Sequence, residues 1–358
     1  MIGFLQILGG LALFMYGVRM LSSGMEKLTG DQIQKWLDRM TRGPVRSLIF
    51  GTVATALIHS SGLLMVTMIG LVNASLMTVE QTIGVIIGQE IGTTLTAQIV
   101  AFNIGNFNML FVVLGVVLFE FFEHRDWKKY GEICFGIGIV FLGMTLMSGA
   151  LKDLILFPWV SNGLVVMGQY PLAAMLAGLI VTSVVQSSTA VTSIAVAMGM
   201  SQVITLDGAV GIILGANIGS CVTGFIASFP LSRPARQVSM AQIFINVVGV
   251  LLFIPFIHQY ADLVSRTSPS LARQIANAHT IFNIIVSLFM LPFVRQIAWV
   301  ADKLVPAERK KEEEKTTTFI DDMQQSVPAV ALNEASRELV HVGGITANML
   351  DESCQALL

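Results

Sequence analysis

Charge is scarce in this chain. Of its 358 residues only 12% are Asp, Glu, Lys or Arg, whereas 54% are hydrophobic and the mean hydropathy is +0.74. A water-soluble protein of this length carries far more charge over its surface, so a soluble enzyme or binding module is excluded. The net charge of −2 comes without a basic cluster, which leaves nucleic acid without a partner surface. Cysteine is also rare. Cys134, Cys221 and Cys354 show no CxxC and no Cys/His spacing, so neither a zinc site nor a disulfide framework is indicated. Cys134 and Cys221 read as small apolar residues of a membrane interior. The first residues carry no basic n-region and no A-x-A cleavage pattern, so the first apolar helix is expected to stay as a span.

What the chain has in abundance is long apolar runs. Phe107–Phe122, Ile133–Gly149, Met240–Ile257 and Ile275–Val294 are each long enough, or nearly so, to cross a hydrocarbon layer of roughly 30 Å. The expectation is an all-α polytopic membrane protein with the lipid bilayer as its solvent. The chain also contains itself twice. Shifted by 127 residues, Pro44–Phe102 lies on Pro171–Phe229 without a gap, with 14 identities in 59 positions, enough to treat the two stretches as copies.

The first copy, residues 1–129, opens with a span at Phe4–Leu21 and an amphipathic stretch at Glu26–Arg42. Pro44–Ser75 is then too long for one crossing of about 20 residues and too short for two. It is cut at His59-Ser60-Ser61-Gly62, which predicts a re-entrant hairpin over 44–75 with its polar tip buried in protein. The run 79–102 is expected to cross as a helix broken at Gly88-Gln89-Glu90-Ile91-Gly92, and Phe107–Phe122 crosses back. The second copy, residues 130–258, repeats the order: a span at Ile133–Gly149, a hairpin over 171–203 cut at Gln186-Ser187-Ser188-Thr189, a helix over 206–229 broken at Gly215-Ala216-Asn217-Ile218-Gly219, and Met240–Ile257 to close. An extra transmembrane helix follows over 273–298. Residues 307–358 form a charged linker, Ala307–Thr318, and a water-compatible amphipathic helix that begins near Pro328, either part of a truncated domain or a packing element in a homo-oligomer.

If each hairpin returns to its own side, three crossings separate equivalent points, an odd number, and the repeats are inverted in the membrane. One side then collects Lys27, Lys35, Arg39, Arg42, Arg46, Arg125, Lys128, Lys129, Arg233 and Arg236, and the other holds Lys152, Arg266 and Arg273. By the positive-inside rule the rich side is cytoplasmic, with the N-terminus outside and the C-terminus cytoplasmic.

At the second hairpin tip Gln186, Ser187, Ser188 and Thr189 set an amide and three hydroxyls where a helix begins with its N–H groups unpaired and its positive dipole end inward. That is an anion site in the making. Ser60 and Ser61 of the first tip approach from the opposite direction, so two tips meeting near the midplane enclose a small tetrahedral anion without any Arg. The neighbouring breaks supply oxygen ligands for a cation such as Na⁺: Asn217, Ser220 and Thr223, with Thr192 and Ser193 one turn beyond the tip. Thr93 lies at the position matching Ser220. Against this, Ser and Thr in membrane helices often only bond back to carbonyls or pack small at a crossing. Two copies at equal spacing, each beside a Gly-rich run, favour a site.

Gln186-Ser187-Ser188-Thr189-Ala190 followed by Gly215-Ala216-Asn217-Ile218-Gly219 closely resembles the signature of the sodium/phosphate cotransporter family, the bacterial relatives of the type II Na/Pi cotransporters. The likeness covers about residues 1–300, including Ala278-His279-x-x-Phe282-Asn283 in the last span, and the tail resembles the opening helix of a PhoU-like domain. The resemblance implies a secondary-active symporter in the bacterial inner membrane. Inorganic phosphate and Na⁺ are its partners, alternating access runs around the two tips, and no cofactor is needed beyond sodium as coupling ion.

The first copy departs from the pattern. His59 stands for the family's Gln, Gly62 for a Ser, Met65 for the counterpart of Thr192, and Gln89-Glu90 for Ala-Asn. A carboxylate at membrane depth costs several kcal/mol unless paired or coordinated, and so marks a functional-site hypothesis. Three readings of Glu90 stay open: it strengthens a cation site, it pairs with His59 and couples protons instead of Na⁺, or it faces a water-filled vestibule without a transport role. A different class remains as rival, a phosphate-sensing membrane regulator that moves little solute. An enzyme is not expected, since no nucleophile constellation or metal set accompanies His59 and Glu90.

Overall fold

A computed structural model of the chain describes residues 2–40, 43–102, 107–122, 125–306 and 328–357. Arg42 and the charged linker Ala307–Thr318 lie outside the described residues. The chain divides into two units, residues 1–306 and 307–358. In the second, α15 runs over Pro328–Leu357 as one helix of 30 residues.

Among its described residues the first unit contains helices joined by short turns and no strand. Six helical segments are long and apolar enough to cross a membrane: Gly3–Met25, Val79–Val100, Trp127–Leu154, Leu206–Ser228, Arg233–Ser265 and Leu271–Leu304. The protein is a polytopic membrane protein. Helices α1 (Ile2–Met40) and α6 (Arg125–Leu154) are the opening spans of the two copies, and they pack face to face. A Cβ on Gly17 would lie 2.8 Å from the Gly136 carbonyl oxygen, and one on Gly143 would lie 2.5 Å from that of Gly10. Since Gly136 and Gly143 are the counterparts of Gly10 and Gly17, the contact is its own mirror: each residue meets the other's equivalent. Only a two-fold between antiparallel helices does that. The repeats are therefore inverted.

Each hairpin is built by the same local chemistry. Pro44 starts α2 (Pro44–Ile58) and Pro171 starts α8 (Pro171–Val185), where the missing N–H leaves no hydrogen bond unmade. Both arms end on a left-handed residue, His59 at φ 54° and Gln186 at φ 55°. The second arms, α3 (Ser61–Asn73) and α9 (Ser188–Met200), close on left-handed Ser75 and Gln202, again at matching positions. Non-glycine residues sit in this region only when their surroundings hold them there, and two pairs at the 127-residue offset show that the bend is inherited with the repeat.

Helices α4 (Val79–Val100) and α10 (Leu206–Ser228) are unbroken, contrary to the expectation of a break in each. Their glycines recur every four residues and line one face, along which the first hairpin arm lies backbone to backbone. A Cβ at Gly84 would meet Ser47 at 2.6 Å, at Gly88 the Leu48 oxygen at 1.9 Å, and at Gly92 the Thr52 oxygen at 2.5 Å. In α10 the series is Gly211 with Pro171 (2.4 Å), Gly215 with Met175 (1.9 Å) and Gly219 with Leu179 (2.7 Å). Numbers rise together along both helices, so arm and span run parallel and the chain must have turned back between them. These contacts exclude a single crossing by each hairpin, and arms of 15 and 13 residues are too short to cross separately, which makes each hairpin re-entrant. The glycines serve close approach and leave the helix intact. Gly215→Ala is expected to destabilise the detergent-solubilised protein by about 3 kcal/mol or more in thermal unfolding, as an overpacked core does. Gly70→Ala, with nothing within 4 Å of the added carbon, should be neutral or slightly stabilising.

A second correction concerns the closing spans. The run Phe107–Phe122 appears as α5 (Phe107–Glu120), which packs along α6. The partner of α10 is α11 (Arg233–Phe253), and the corresponding partner of α4 is α13 (Leu271–Met290). Ser228 meets Ser239 at 2.6 Å in the first pair, while in the second Gln98 donates to Asn277 and Thr280 at 3.0 and 2.9 Å. Both α11 and α13 end in a Pro-containing 3₁₀ turn, Ile254–Phe256 and Leu291–Phe293, followed by a short helix, α12 (Ile257–Ser265) and α14 (Val294–Leu304). The span read as extra therefore completes the inverted pair. A short α7 (Pro158–Gln169) precedes the second hairpin, bent by 115° against α8 at Tyr170.

Candidate functional site

The two tips open on one cavity of about 540 Å³. Ser60 accepts from the Leu63 N–H and caps α3; Ser187 accepts from the Ala190 N–H and caps α9, both at 3.2 Å. Each cap leaves the serine O–H free to donate, and the remaining N-terminal N–H groups of both helices face inward with the positive dipole ends. Ser60, Ser61, Gln186, Ser187, Ser188 and Thr189 all line the cavity, as do His59, Gln89, Ser220 and Thr223. The first tip touches the other repeat directly: an added Cβ on Gly62 would sit 3.7 Å from Thr223.

The other sequence candidates, Thr93, Thr192, Asn217 and Glu90, do not line the cavity. Asn217 is buried and donates to the Ile213 carbonyl at 2.9 Å. Thr93 and Ser220 bond back to the carbonyls of Glu90 and Asn217, both at 2.7 Å, the local satisfaction that hydroxyls adopt inside helices. Thr192 is buried with its hydroxyl unpartnered.

Glu90 is 6% exposed and its partner is not His59. His59 Nδ1 is hydrogen-bonded to Thr96 Oγ1 at 2.9 Å, because the left-handed turn that ends α2 swings the ring onto the later part of α4. Glu90 Oε1 instead accepts from Gln242 Nε2 and Asn246 Nδ2, both at 3.2 Å, one helical turn apart on α11. Asn246 also reaches Cys221 Sγ at 3.3 Å. Neutral amides solvate the carboxylate without cancelling its charge. Both amide atoms of Gln89 and Oε1 of Gln242 are buried without a hydrogen-bond partner among the described residues, and both side chains also line the cavity. A carboxylate backed by unpaired amide oxygens one layer behind an open wall is suited to a small hard cation or a proton. Among the described residues no group of three His, Cys, Asp or Glu side chains gathers for a transition metal.

The wall also contains residues that the sequence reading missed. From α1 come Arg19, Ser22 and Ser23, and from α11 comes Gln242. The anion was expected to be held without any Arg; the structure puts Arg19 in the same cavity.

The profile of the Na⁺/Pi-cotransporter family matches residues 13–149 and 157–267. The chain belongs to the Na⁺/Pi-cotransporter family. It is 27% identical over 259 residues to the uncharacterized protein YqeW of Bacillus subtilis, covering 72% of this chain and 84% of that one. It is 23% identical over 356 residues to YjbB of Escherichia coli, whose name provisionally assigns it inorganic phosphate export, covering 98% of this chain and 65% of the relative. The chain thus spans just under two thirds of the length of that relative. A 91-residue stretch, 24% of this chain and 13% of the other, is 37% identical to the human sodium-dependent phosphate transport protein 2B. No solved structure matches. In this family member the match covers both hairpins and both glycine-lined spans, so the cavity lies within the shared part.

Proposed function

We propose that the protein is a secondary-active carrier of inorganic phosphate that couples to Na⁺ and works by alternating access around the cavity between the hairpin tips. One observation carries this reading: the N-termini of α3 and α9 and their serines, from inverted repeats, converge on one cavity. A tetrahedral oxyanion accepts from hydroxyls and backbone N–H groups alike. Ser60, Ser61, Gln186, Ser187, Ser188 and Thr189 hold the phosphate. Glu90, Gln89, Ser220 and Thr223 serve the cation from the α4 and α10 sides, with Thr192 and Asn217 behind. Thr93 and His59 act there through the backbone and through Thr96. Pseudo-symmetry lets the two repeats exchange shapes, opening the cavity to one side and then the other. The membrane is the bacterial inner membrane, with the N-terminus outside and the C-terminus in the cytoplasm. Residues 328–357 open a PhoU-like domain.

Purified protein in proteoliposomes, tested with Na⁺ and pH gradients imposed separately, checks the reading. Labelled phosphate should accumulate against its gradient when Na⁺ flows inward and should not respond to pH alone. Absence of phosphate flux under every gradient would overturn it. Glu90 favours a second reading, in which a proton replaces Na⁺; accumulation driven by the pH gradient alone is its signature. Export of phosphate by this protein would be the same cycle run under the opposite gradient, and the reversed Na⁺ gradient tests that direction.

A further inference from the structure

Helix α1 presents two faces. Gly10, Gly17 and Gly24 lie against α6, whereas Met15, Arg19 and Ser22, spaced i, i+4 and i+7, line the cavity. Arg19 falls inside the apolar span Gly3–Met25, about five residues beyond its middle and so about 8 Å from the membrane centre. A guanidinium at that depth is expensive unless it faces water or an anion. Its counterpart in the second repeat, 126 residues on, is the neutral Thr145. The charge therefore belongs to this half alone.

The cavity gives that charge a reason. Among its described lining residues there is no Asp or Glu, and Arg19 is the one side chain with a permanent charge. The carboxylate of Glu90 stays behind the wall, held by Gln242 and Asn246. Arg19 has no ion-pair partner among the described residues. The same cavity is lined by hydroxyls, from Ser22 and Ser23 on its own helix and from the two hairpin tips.

We infer that Arg19 is an anion-recognition residue of this cavity, a planar guanidinium that engages two oxygens of a bound tetrahedral oxyanion and gives the site its preference for oxyanions over halides. The inference rests on the reading of the cavity as an anion site. It adds a ligand that neither hairpin supplies and that the repeat symmetry does not contain. A guanidinium fork matches two oxygens at once, whereas an ammonium acts as a point charge. The lysine variant should thus keep attraction and lose discrimination.

The test compares wild type, Arg19→Gln and Arg19→Lys as purified full chains, using stabilisation against heat by phosphate, arsenate, sulfate and chloride. For wild type, phosphate or another tetrahedral oxyanion should raise the melting temperature and chloride should not. Arg19→Gln should need at least tenfold more oxyanion for half the effect. Arg19→Lys should recover much of the affinity while the gap between oxyanion and chloride narrows. In proteoliposomes the half-saturating phosphate concentration should rise for Arg19→Gln with the Na⁺ dependence unchanged. Wild-type oxyanion response in Arg19→Gln would overturn the inference and leave phosphate transport standing. If wild type binds sulfate but not phosphate and the Gln variant loses sulfate, the phosphate reading fails and the role of Arg19 holds. No response of wild type to any oxyanion would overturn both.

Discussion

Ser188→Ala is expected to lower phosphate uptake in proteoliposomes by about a hundredfold in kcat/KM. Ser188 is the first residue of α9, lines the cavity and is 8% exposed, so under the proposed function its hydroxyl would meet the anion away from bulk water. A hydrogen bond to a charged group is worth about 1.5–3 kcal/mol, which converts to a loss of about 10- to 150-fold. Ser187→Ala reports something different. Its oxygen caps α9 through the Ala190 N–H, so its loss takes away a helix cap of about 1 kcal/mol together with any contact to the anion. Thermal unfolding separates the two: Ser188→Ala should melt like wild type, and Ser187→Ala a few degrees lower. Uptake by Ser188→Ala at the wild-type rate would show that the α9 tip does not hold the substrate.

The second large effect is expected at Glu90. Glu90→Gln keeps shape and removes charge, and it leaves Gln242 and Asn246 with an amide oxygen to donate to. The fold should therefore survive. What should vanish is gradient-driven accumulation, by about a hundredfold, because the cation has lost its one formal negative charge on the α4 side. Phosphate–phosphate exchange, which needs the anion site but no net coupling, should persist. That split distinguishes a coupling residue from a structural one: a residue that only held α4 against α11 would lower both modes together. Gln242→Leu removes one donor to the carboxylate and should weaken cation dependence more mildly, by about tenfold, the size of one charge-assisted hydrogen bond.

Much of this was legible in the chain, and the failures have physical causes. The duplication exposed the hairpins, since 32 apolar residues from Pro44 to Ser75 fit neither one crossing nor two. The serines at both tips pointed to the cavity that they line, because a repeated polar run at a helix start inside an apolar segment stands out along the chain. The glycines misled. Gly88 and Gly92, or Gly215 and Gly219, read as a helix break in one dimension, but glycine also lets two backbones touch, and only the register against Leu48 and Met175 decides which. The pairing of α13 with α4 had a signal too. Ala241, Asn246, Pro255 and Phe256 reappear as Ala278, Asn283, Pro292 and Phe293, at a constant offset of 37. Most residues between differ, Gln242 against His279 and Ile243 against Thr280 among them, so the match is faint beside the longer repeat. The partners of Glu90 could not be foreseen, because Gln242 and Asn246 are 152 and 156 residues away and only the packing of α11 across α4 brings them in. Arg19 was missed for a related reason: along the chain it sits in the C-terminal part of the apolar stretch Gly3–Met25, toward the end where a basic residue usually marks the interface.

The two hairpin tips are proposed to hold one tetrahedral oxyanion between them. The most direct measurement is the position of arsenate, a heavy phosphate analogue, by anomalous scattering from crystals of the full chain. One arsenic peak is expected within the cavity, with the arsenate oxygens in hydrogen-bond reach of Ser61 and Ser188. A peak elsewhere, or an empty cavity at arsenate concentrations that block phosphate uptake, would contradict it.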